Sequence, residues 1–192
     1  MLEIEVKVRV ADPAVARVGL REAGAVETRP RHREVNVLYD FRDRSLTAER
    51  RAVRLRVVGK KATLTYKGPP LKSRRFKIRE EFETEVKRAG AAAKILAALG
   101  LVPVFRYEKR RTLFKKGPLS ICLDELAVGT FLEIEGERPK IVRFLKSLGI
   151  APKDWLRQDY IQLITAAPGA EPGPGHSDSL SSPDSSAGKS SV

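Results

Sequence analysis

The chain has 192 residues, of which 42% are hydrophobic, and carries a formal net charge of +13 at pH 7. This length suits one domain with a sizeable core, and the charge indicates an anionic partner such as nucleic acid, an acidic membrane surface or a phosphorylated small molecule. A single cysteine and only two histidines exclude a disulfide framework and a zinc-type ligand cluster.

The two ends of the chain differ sharply in composition. The chain begins with a charged segment and no apolar run approaches membrane-spanning length, so we expect no signal peptide, no transmembrane helix and a cytoplasmic location. Residues 168–192 are rich in Pro, Gly and Ser and have few large apolar side chains, which is typical of a disordered tail. We therefore expect residues 1–167 to form the folded domain and to carry the positive charge.

The first segment alternates apolar and charged residues, which predicts a strand with one apolar and one charged face. Asp12 and Pro13 then predict the start of a helix that ends near Gly24. Similar alternation continues along the chain, and the predicted strands are 2–10, 33–41, 52–58, 62–68, 75–86, 104–114, 119–126 and 131–136. Further helices are predicted at 87–99 and 139–149, with a short last segment around 155–164.

On nearly every predicted strand the polar face carries ionisable groups, and along the chain these are of both signs. The strand at 104–114 is the exception, because Lys109 and Arg111 share a face with Tyr107 and Leu113. A charged face is ordinarily the solvated side of an antiparallel sheet. A barrel with a charged interior, however, must hold a charged ligand, and one strand alone does not decide between the two.

Two Glu-x-Glu pairs lie on predicted strands, Glu3 with Glu5 and Glu133 with Glu135. If their strands are neighbours, these carboxylates can reach one divalent cation, a hard ion that prefers oxygen ligands. The accompanying Lys and Arg side chains suit phosphate oxygens. Carboxylates and cations together therefore indicate a metal with a polyphosphate.

The motifs EIEVK, VRLRV, LTYKGP, REEFETEV, YEKRRTLF, ICLDEL and GTFLEIEGE, in this order, resemble the CYTH family. That family includes class IV adenylyl cyclases, thiamine triphosphatases and inorganic triphosphatases, the triphosphate tunnel metalloenzymes. The similarity runs from Leu2 to about Ile164. It implies an α+β fold, a closed eight-stranded antiparallel β-barrel with flanking helices, whose charged lumen holds Mg²⁺ or Mn²⁺ and a triphosphate.

The resemblance also implies a role for each charged position. The implied metal ligands, or groups that support them, are Glu3, Glu5, Glu81, Glu83, Asp124, Glu133 and Glu135. The implied triphosphate-binding residues are Lys7, Arg54, Arg56, Lys67, Arg79, Lys109 and Arg111, and the first four of these are the expected catalytic residues. Asn36 stands where an acid is expected in the second strand, which leaves the role of that position open.

The expected activity is metal-dependent hydrolysis of tripolyphosphate or of a nucleoside or organic triphosphate. The alternative is an adenylate cyclase that converts ATP to cyclic AMP and pyrophosphate, since the motifs serve both chemistries and the LYDFRDRSLTAE phrasing resembles the cyclase-like branch. Only Met1 and Leu2 precede Glu3, which leaves no room for the His-Phe element of cyclase-type members. This and the lack of a clear adenine-recognition signature favour hydrolysis.

A second alternative is a polyphosphate-binding or RNA-binding module without turnover. RNA-binding sheets usually carry exposed aromatic residues among basic ones. Here Tyr66, Phe76 and Phe82 fall on apolar faces, and carboxylates among the basic residues would repel a nucleic acid backbone. We therefore expect an enzyme acting on a small triphosphate rather than a nucleic acid-binding protein, and leave open whether it forms a homodimer.

Overall fold

The structure is a computed structural model, and it describes residues 2–168. The tail predicted at 168–192 lies outside these residues except for Pro168.

The described chain folds into nine strands, five α-helices and a 3₁₀ turn at Pro152–Asp154. The strands are β1 (Leu2–Val10), β2 (Val26–Asp40), β3 (Ala52–Val58), β4 (Lys61–Lys67), β5 (Lys77–Val86), β6 (Val102–Lys116), β7 (Leu119–Leu126), β8 (Gly129–Glu135) and β9 (Trp155–Leu156). The helices are α1 (Pro13–Glu22), α2 (Ser45–Ala48), α3 (Ala89–Ala98), α4 (Arg138–Ser147) and α5 (Tyr160–Thr165).

Eight of the strands form a closed antiparallel barrel, as expected. They are hydrogen-bonded in the order β5-β4-β3-β2-β6-β7-β8-β1, and the first half of β1 pairs back to β5 to close the cylinder. The second half of β1 pairs with β8 on one side and with the two-residue strand β9 on the other. β1 is therefore the seam of the barrel, and its register places Glu5 opposite both Lys77 of β5 and Glu135 of β8.

The apolar face of the barrel points outward and packs against the helices. One core cluster joins α1 and α4 to the outer face of β1, β6, β7 and β8, with Phe114, Ile134 and Leu145 fully buried. A second cluster joins α2 and α3 to β2, β3 and β4 around Leu55. Because side chains alternate along a strand, the charged faces are left to line the lumen.

Two parts of the fold differ from the sequence-based expectation. β2 begins at Val26 rather than at residue 33, because its first half pairs with β6 through irregular register shifts around Pro30, where no apolar alternation is visible. There are also more helices than the two or three predicted. The four-residue α2 is too short to show a period and is held instead by Asp40, whose carboxylate accepts hydrogen bonds from the backbone of Leu46 and Thr47.

Other local expectations hold. Asp12 caps α1 by accepting a hydrogen bond from the Ala14 amide at 2.6 Å, and a proline occupies the first turn. None of the helices in residues 2–168 is long and apolar enough to cross a membrane.

Candidate active site

The barrel encloses a charged cavity of about 660 Å³. All seven predicted triphosphate-binding residues line it, as do six of the seven predicted acidic residues; the seventh, Asp124, lies behind the lining and is fully buried. The structure thus brings together side chains that lie up to 132 positions apart in the sequence, from Glu3 to Glu135.

Five of the acidic residues gather where β1 meets β5 and β8, namely Glu3, Glu5, Glu81, Glu133 and Glu135. Burial, together with the charge of Glu5, raises the pKa of Glu3 to about 8, and Glu81 adds to the rise. Partial burial and the charge of Glu81 likewise raise the pKa of Glu135. Mutual repulsion among these carboxylates is the kind of strain that a bound cation relieves.

Lysines balance the charge of this acidic group. Lys67 Nζ lies 2.7 Å from Glu3 and 2.8 Å from Glu81, and Lys77 Nζ lies 3.1 Å from Glu5. Within residues 2–168, no three Asp, Glu, His or Cys side chains converge closely enough to enclose a metal ion in this arrangement. The donor set itself, several clustered carboxylates, fits a hard divalent cation such as Mg²⁺ or Mn²⁺.

Asp124 and Glu83 are surrounded differently from the other predicted acids. Asp124 accepts hydrogen bonds from Lys109 Nζ at 2.9 Å, from Arg111 Nε at 2.6 Å and Nη2 at 2.5 Å, and from the Tyr160 hydroxyl at 2.7 Å. Glu83 is partly exposed, lies 3.7–3.8 Å from Arg54 and Arg56, and accepts a hydrogen bond from the Thr65 hydroxyl. Both carboxylates therefore hold cationic or polar groups in place.

One end of the cavity is covered by α5 and the residues that precede it. Lys7 Nζ donates to the Gln158 carbonyl at 3.1 Å, pairs with Glu133 at 3.2 Å and lies 4.0 Å from the centre of the Tyr160 ring. Burial alone would lower the pKa of Lys7, but the charges of Glu133 and Glu5 outweigh it and raise the pKa. Lys7 is therefore a buried ammonium that points into the lumen.

Several other cations are less committed to protein partners. Within residues 2–168, the ion pairs that Arg54 and Arg56 make with acids are long, 3.7–4.0 Å. Arg79 is buried, makes no ion pair with an acidic side chain of residues 2–168, and its Nε atom lacks a hydrogen-bond partner there. The guanidinium groups of these three arginines retain donors for an anionic ligand. Arg111, by contrast, is held by Asp124 and also contacts Glu133 at 2.6 Å.

Three residues at the site were missed by the sequence-based assignment of roles: Lys77 and Tyr107, which line the cavity, and Glu34, which is buried behind the lining. Glu34 lies within 4.0 Å of Arg56, Lys109 and Arg111. Burial by itself would raise its pKa, but these cations lower it to about 2. The sequence does indicate that Glu34 and Lys77 face the lumen side. Glu34 is two positions before Asn36 and Lys77 is two before Arg79, and residues two apart share a strand face.

Tyr160 and Cys122 are two further residues of the cavity lining. Tyr160 is buried, lines the cavity and bonds to Asp124, so it is part of the site as well as of the packing. Cys122 also lines the cavity, but burial raises the pKa of its thiol to about 12. A thiol that stays protonated is a poor nucleophile, which agrees with a packing role.

Comparison with known proteins supports the fold and the family. The CYTH domain matches residues 1–149. A protein of Methanocaldococcus jannaschii named "Putative adenylate cyclase" is 27% identical over 174 residues, which cover 85% of this chain and 98% of that protein.

Two solved structures have the same architecture. A Vibrio parahaemolyticus protein of the same designation has a TM-score of 0.75 at 20% identity, with 86% of this chain and 99% of that chain covered. A Hippeastrum protein, named a "Putative adenylyl cyclase" and described as revealing a dominant triphosphatase activity, has a TM-score of 0.54 at 20% identity, with 83% of this chain and 93% of that chain covered. At these identities the likeness concerns the fold.

Proposed function

Because this chain belongs to the CYTH family, we propose that it is a divalent-cation-dependent enzyme that hydrolyses the terminal phosphate of a triphosphate substrate. The observation that carries the proposal is the enclosed cavity in which eight Lys and Arg side chains face a cluster of carboxylates. A polyphosphate supplies negative charge for the cations, and a metal ion is needed if the same ligand is to approach the acids.

The cationic residues would hold the triphosphate and stabilise its charge during reaction. Arg54, Arg56 and Arg79 have buried Nε donors without a hydrogen-bond partner in residues 2–168, and at buried positions electrostatic interactions are stronger than in water. Lys7 and Lys67 add ammonium groups, with Lys7 beside the cover formed by α5. In phosphoryl transfer such fixed cations contribute mainly by positioning the phosphates and neutralising charge on their oxygens.

The acidic cluster would hold the divalent cation. Glu3, Glu5, Glu81, Glu133 and Glu135 are the candidate ligands, because their charges act on one another across the β1 seam. When bound, the cation would neutralise phosphate oxygens and help to activate the attacking water. Lys67 and Lys77, which now balance these acids, would then be available to the substrate.

We assign Asp124 to the positioning of the Lys109 and Arg111 side chains rather than to metal binding. Its two oxygens already accept hydrogen bonds from Lys109, Arg111 and Tyr160, and the side chain is fully buried. It would hold the ammonium and guanidinium groups in a fixed orientation toward the phosphates.

Conversion of ATP to cyclic AMP is the second candidate. The name of the M. jannaschii relative favours it, since the match extends over nearly all of that protein. The cavity lining also includes Leu38, Ala52, Tyr107 and Ile161, apolar or aromatic residues that a base could contact. Hydrolysis ranks first because charged residues dominate the lining, which suits the phosphates more than a nucleoside.

The experiment that separates the candidates incubates purified protein and Mg²⁺ or Mn²⁺ with tripolyphosphate, thiamine triphosphate or ATP, in separate reactions. Released phosphate, pyrophosphate and cyclic AMP are measured. Arg54→Ala removes a cavity cation whose ion pair with Glu83 is long, 3.7 Å. Glu5→Gln removes a candidate metal ligand. Lys94→Ala, an exposed helix position, is the matched control. Melting temperatures show whether each variant is folded.

We expect phosphate release from at least one triphosphate, reduced about a hundredfold in Arg54→Ala and Glu5→Gln, as for removal of a transition-state donor, and unchanged in Lys94→Ala. Cyclic AMP with stoichiometric pyrophosphate from ATP would establish the second candidate instead. Folded protein that turns over none of the three substrates would refute both and favour a binding module.

A further inference from the structure

A second basic feature lies outside the barrel cavity. Lys72, Ser73, Arg74 and Arg157 line an open basin of about 440 Å³. The three cationic side chains are exposed, and none forms an ion pair with an acidic side chain in the part of the chain that the structure describes. From the charges on this surface, we propose that it is a second phosphate-binding pocket.

The pocket is built from two segments that are far apart in sequence. One is the β4–β5 loop, residues 68–76, and the other is the segment between β9 and α5. The Phe76 ring packs edge-on against Trp155 with ring centres 5.6 Å apart, which joins the two segments two residues away from Arg74 and Arg157. The two segments that carry the pocket are therefore joined by a tertiary contact.

The loop is also ordered by its own backbone. The Leu71 amide donates to the Ile78 carbonyl at 2.8 Å, and the Phe76 amide donates to the Ser73 hydroxyl oxygen at 3.1 Å. Pro69 and Pro70 restrict the backbone before it. The Ser73 hydroxyl keeps its proton to donate, so the pocket offers a neutral donor among three cations, a combination that suits phosphate oxygens.

Both segments lead directly into the barrel cavity. Lys77 pairs with Glu5 in the lumen and is three residues after Arg74. The Cα atoms of Arg74 and Lys77 are therefore at most about 10 Å apart. Arg157 precedes Gln158, whose carbonyl accepts from Lys7. Of the nearby acids, Asp159 is occupied in capping α5 through the Gln162 amide. The pocket therefore adjoins in sequence two residues of the cavity wall, Lys77 and Asp159.

The ligand is a phosphate group, and it has two sources. It is either the distal part of a linear polyphosphate whose end lies in the barrel cavity, or a separate phosphate ion that acts on the enzyme. The first source rests on the proposed triphosphatase function, whereas binding of free phosphate does not. The test therefore needs a binding measurement that is independent of turnover.

The binding arm titrates inorganic phosphate into ¹⁵N-labelled protein and follows backbone amide signals by NMR. We expect the signals of Ser73, Arg74 and Arg157 to shift in the wild-type chain. The response should disappear in a Lys72→Gln/Arg74→Gln/Arg157→Gln variant. It should persist in Lys60→Gln/Lys61→Gln, which removes charge from an exposed turn elsewhere. All five positions are exposed, so both variants should fold.

The kinetic arm compares tripolyphosphate with a longer linear polyphosphate. If the pocket takes the distal part of the chain, the triple variant raises the KM for the long chain about tenfold through lost charge-assisted hydrogen bonds, and leaves the KM for tripolyphosphate unchanged. If it takes separate phosphate ions, only the NMR response is lost. Pocket signals that do not respond to phosphate, together with an unchanged long-chain KM, would overturn the proposal, whether or not the protein is a triphosphatase.

Discussion

Replacement of Asp124 by alanine tests the idea that a buried carboxylate organises the cationic side of the cavity. The wild-type carboxylate is fully buried and accepts four hydrogen bonds, from Lys109, twice from Arg111, and from Tyr160. Removing it leaves two buried cations without their principal partner. Removal of one partner from a buried ion pair costs about 3–5 kcal/mol.

The structure places the expected value at the lower end of that range. After the substitution Arg111 still has Glu133 at 2.6 Å, and Glu34 lies 3.7 Å from Lys109. We therefore expect a loss of about 3 kcal/mol in unfolding free energy. For a domain of this size that lowers Tm by about 6–12 °C. Asp124→Asn keeps the shape but not the charge, and should lose less.

Glu125→Ala provides the matched control on the next position of β7. Glu125 faces outward and pairs with exposed Arg31 through two hydrogen bonds, so its loss should cost no more than about 1 kcal/mol. Thermal and urea unfolding of the three variants are compared with the wild type. Equal stability of Asp124→Ala and Glu125→Ala would refute the reasoning, because it would show that the Asp124 network is not buried and interdependent.

Three further predictions concern the same cavity. The pKa of Glu34 is lowered from 4.5 to about 2, so its ionised form stabilises the fold above pH 4.5. This contribution, of the order of 3 kcal/mol, is lost as the pH falls toward 2. Glu34→Gln should therefore flatten the fall of Tm between pH 4.5 and pH 2, and an unchanged slope would contradict the assignment. Tyr160→Phe removes the hydrogen bond to Asp124 but keeps the ring, and should cost about 1 kcal/mol in urea unfolding. A chelator should abolish hydrolysis, and added Mg²⁺ or Mn²⁺ should restore it; full activity in the presence of the chelator would contradict metal dependence. Tripolyphosphate without metal should still raise Tm, because it binds the cavity cations of the folded state.

The local pattern of the sequence determined which residues share a strand face. Glu3, Glu5 and Lys7 alternate with apolar residues, as do Arg54 and Arg56, and in an extended chain this alternation alone puts the charged members on one side. The same rule places Glu34 with Asn36 and Lys77 with Arg79. The motif order also carried the resemblance to the family that was then found over residues 1–149.

Only the tertiary structure decided which charges meet. Lys67 reaches Glu3 across 64 residues and Tyr160 reaches Asp124 across 36, contacts that exist because β1 closes the barrel and α5 covers one end of the cavity. Strand pairing and register over such distances depend on packing the outward apolar faces against α1, α3 and α4, and no local period encodes them. The sequence therefore determined the faces, and closure of the barrel decided that Asp124 holds cations while five of the six other predicted carboxylates gather at the β1 seam.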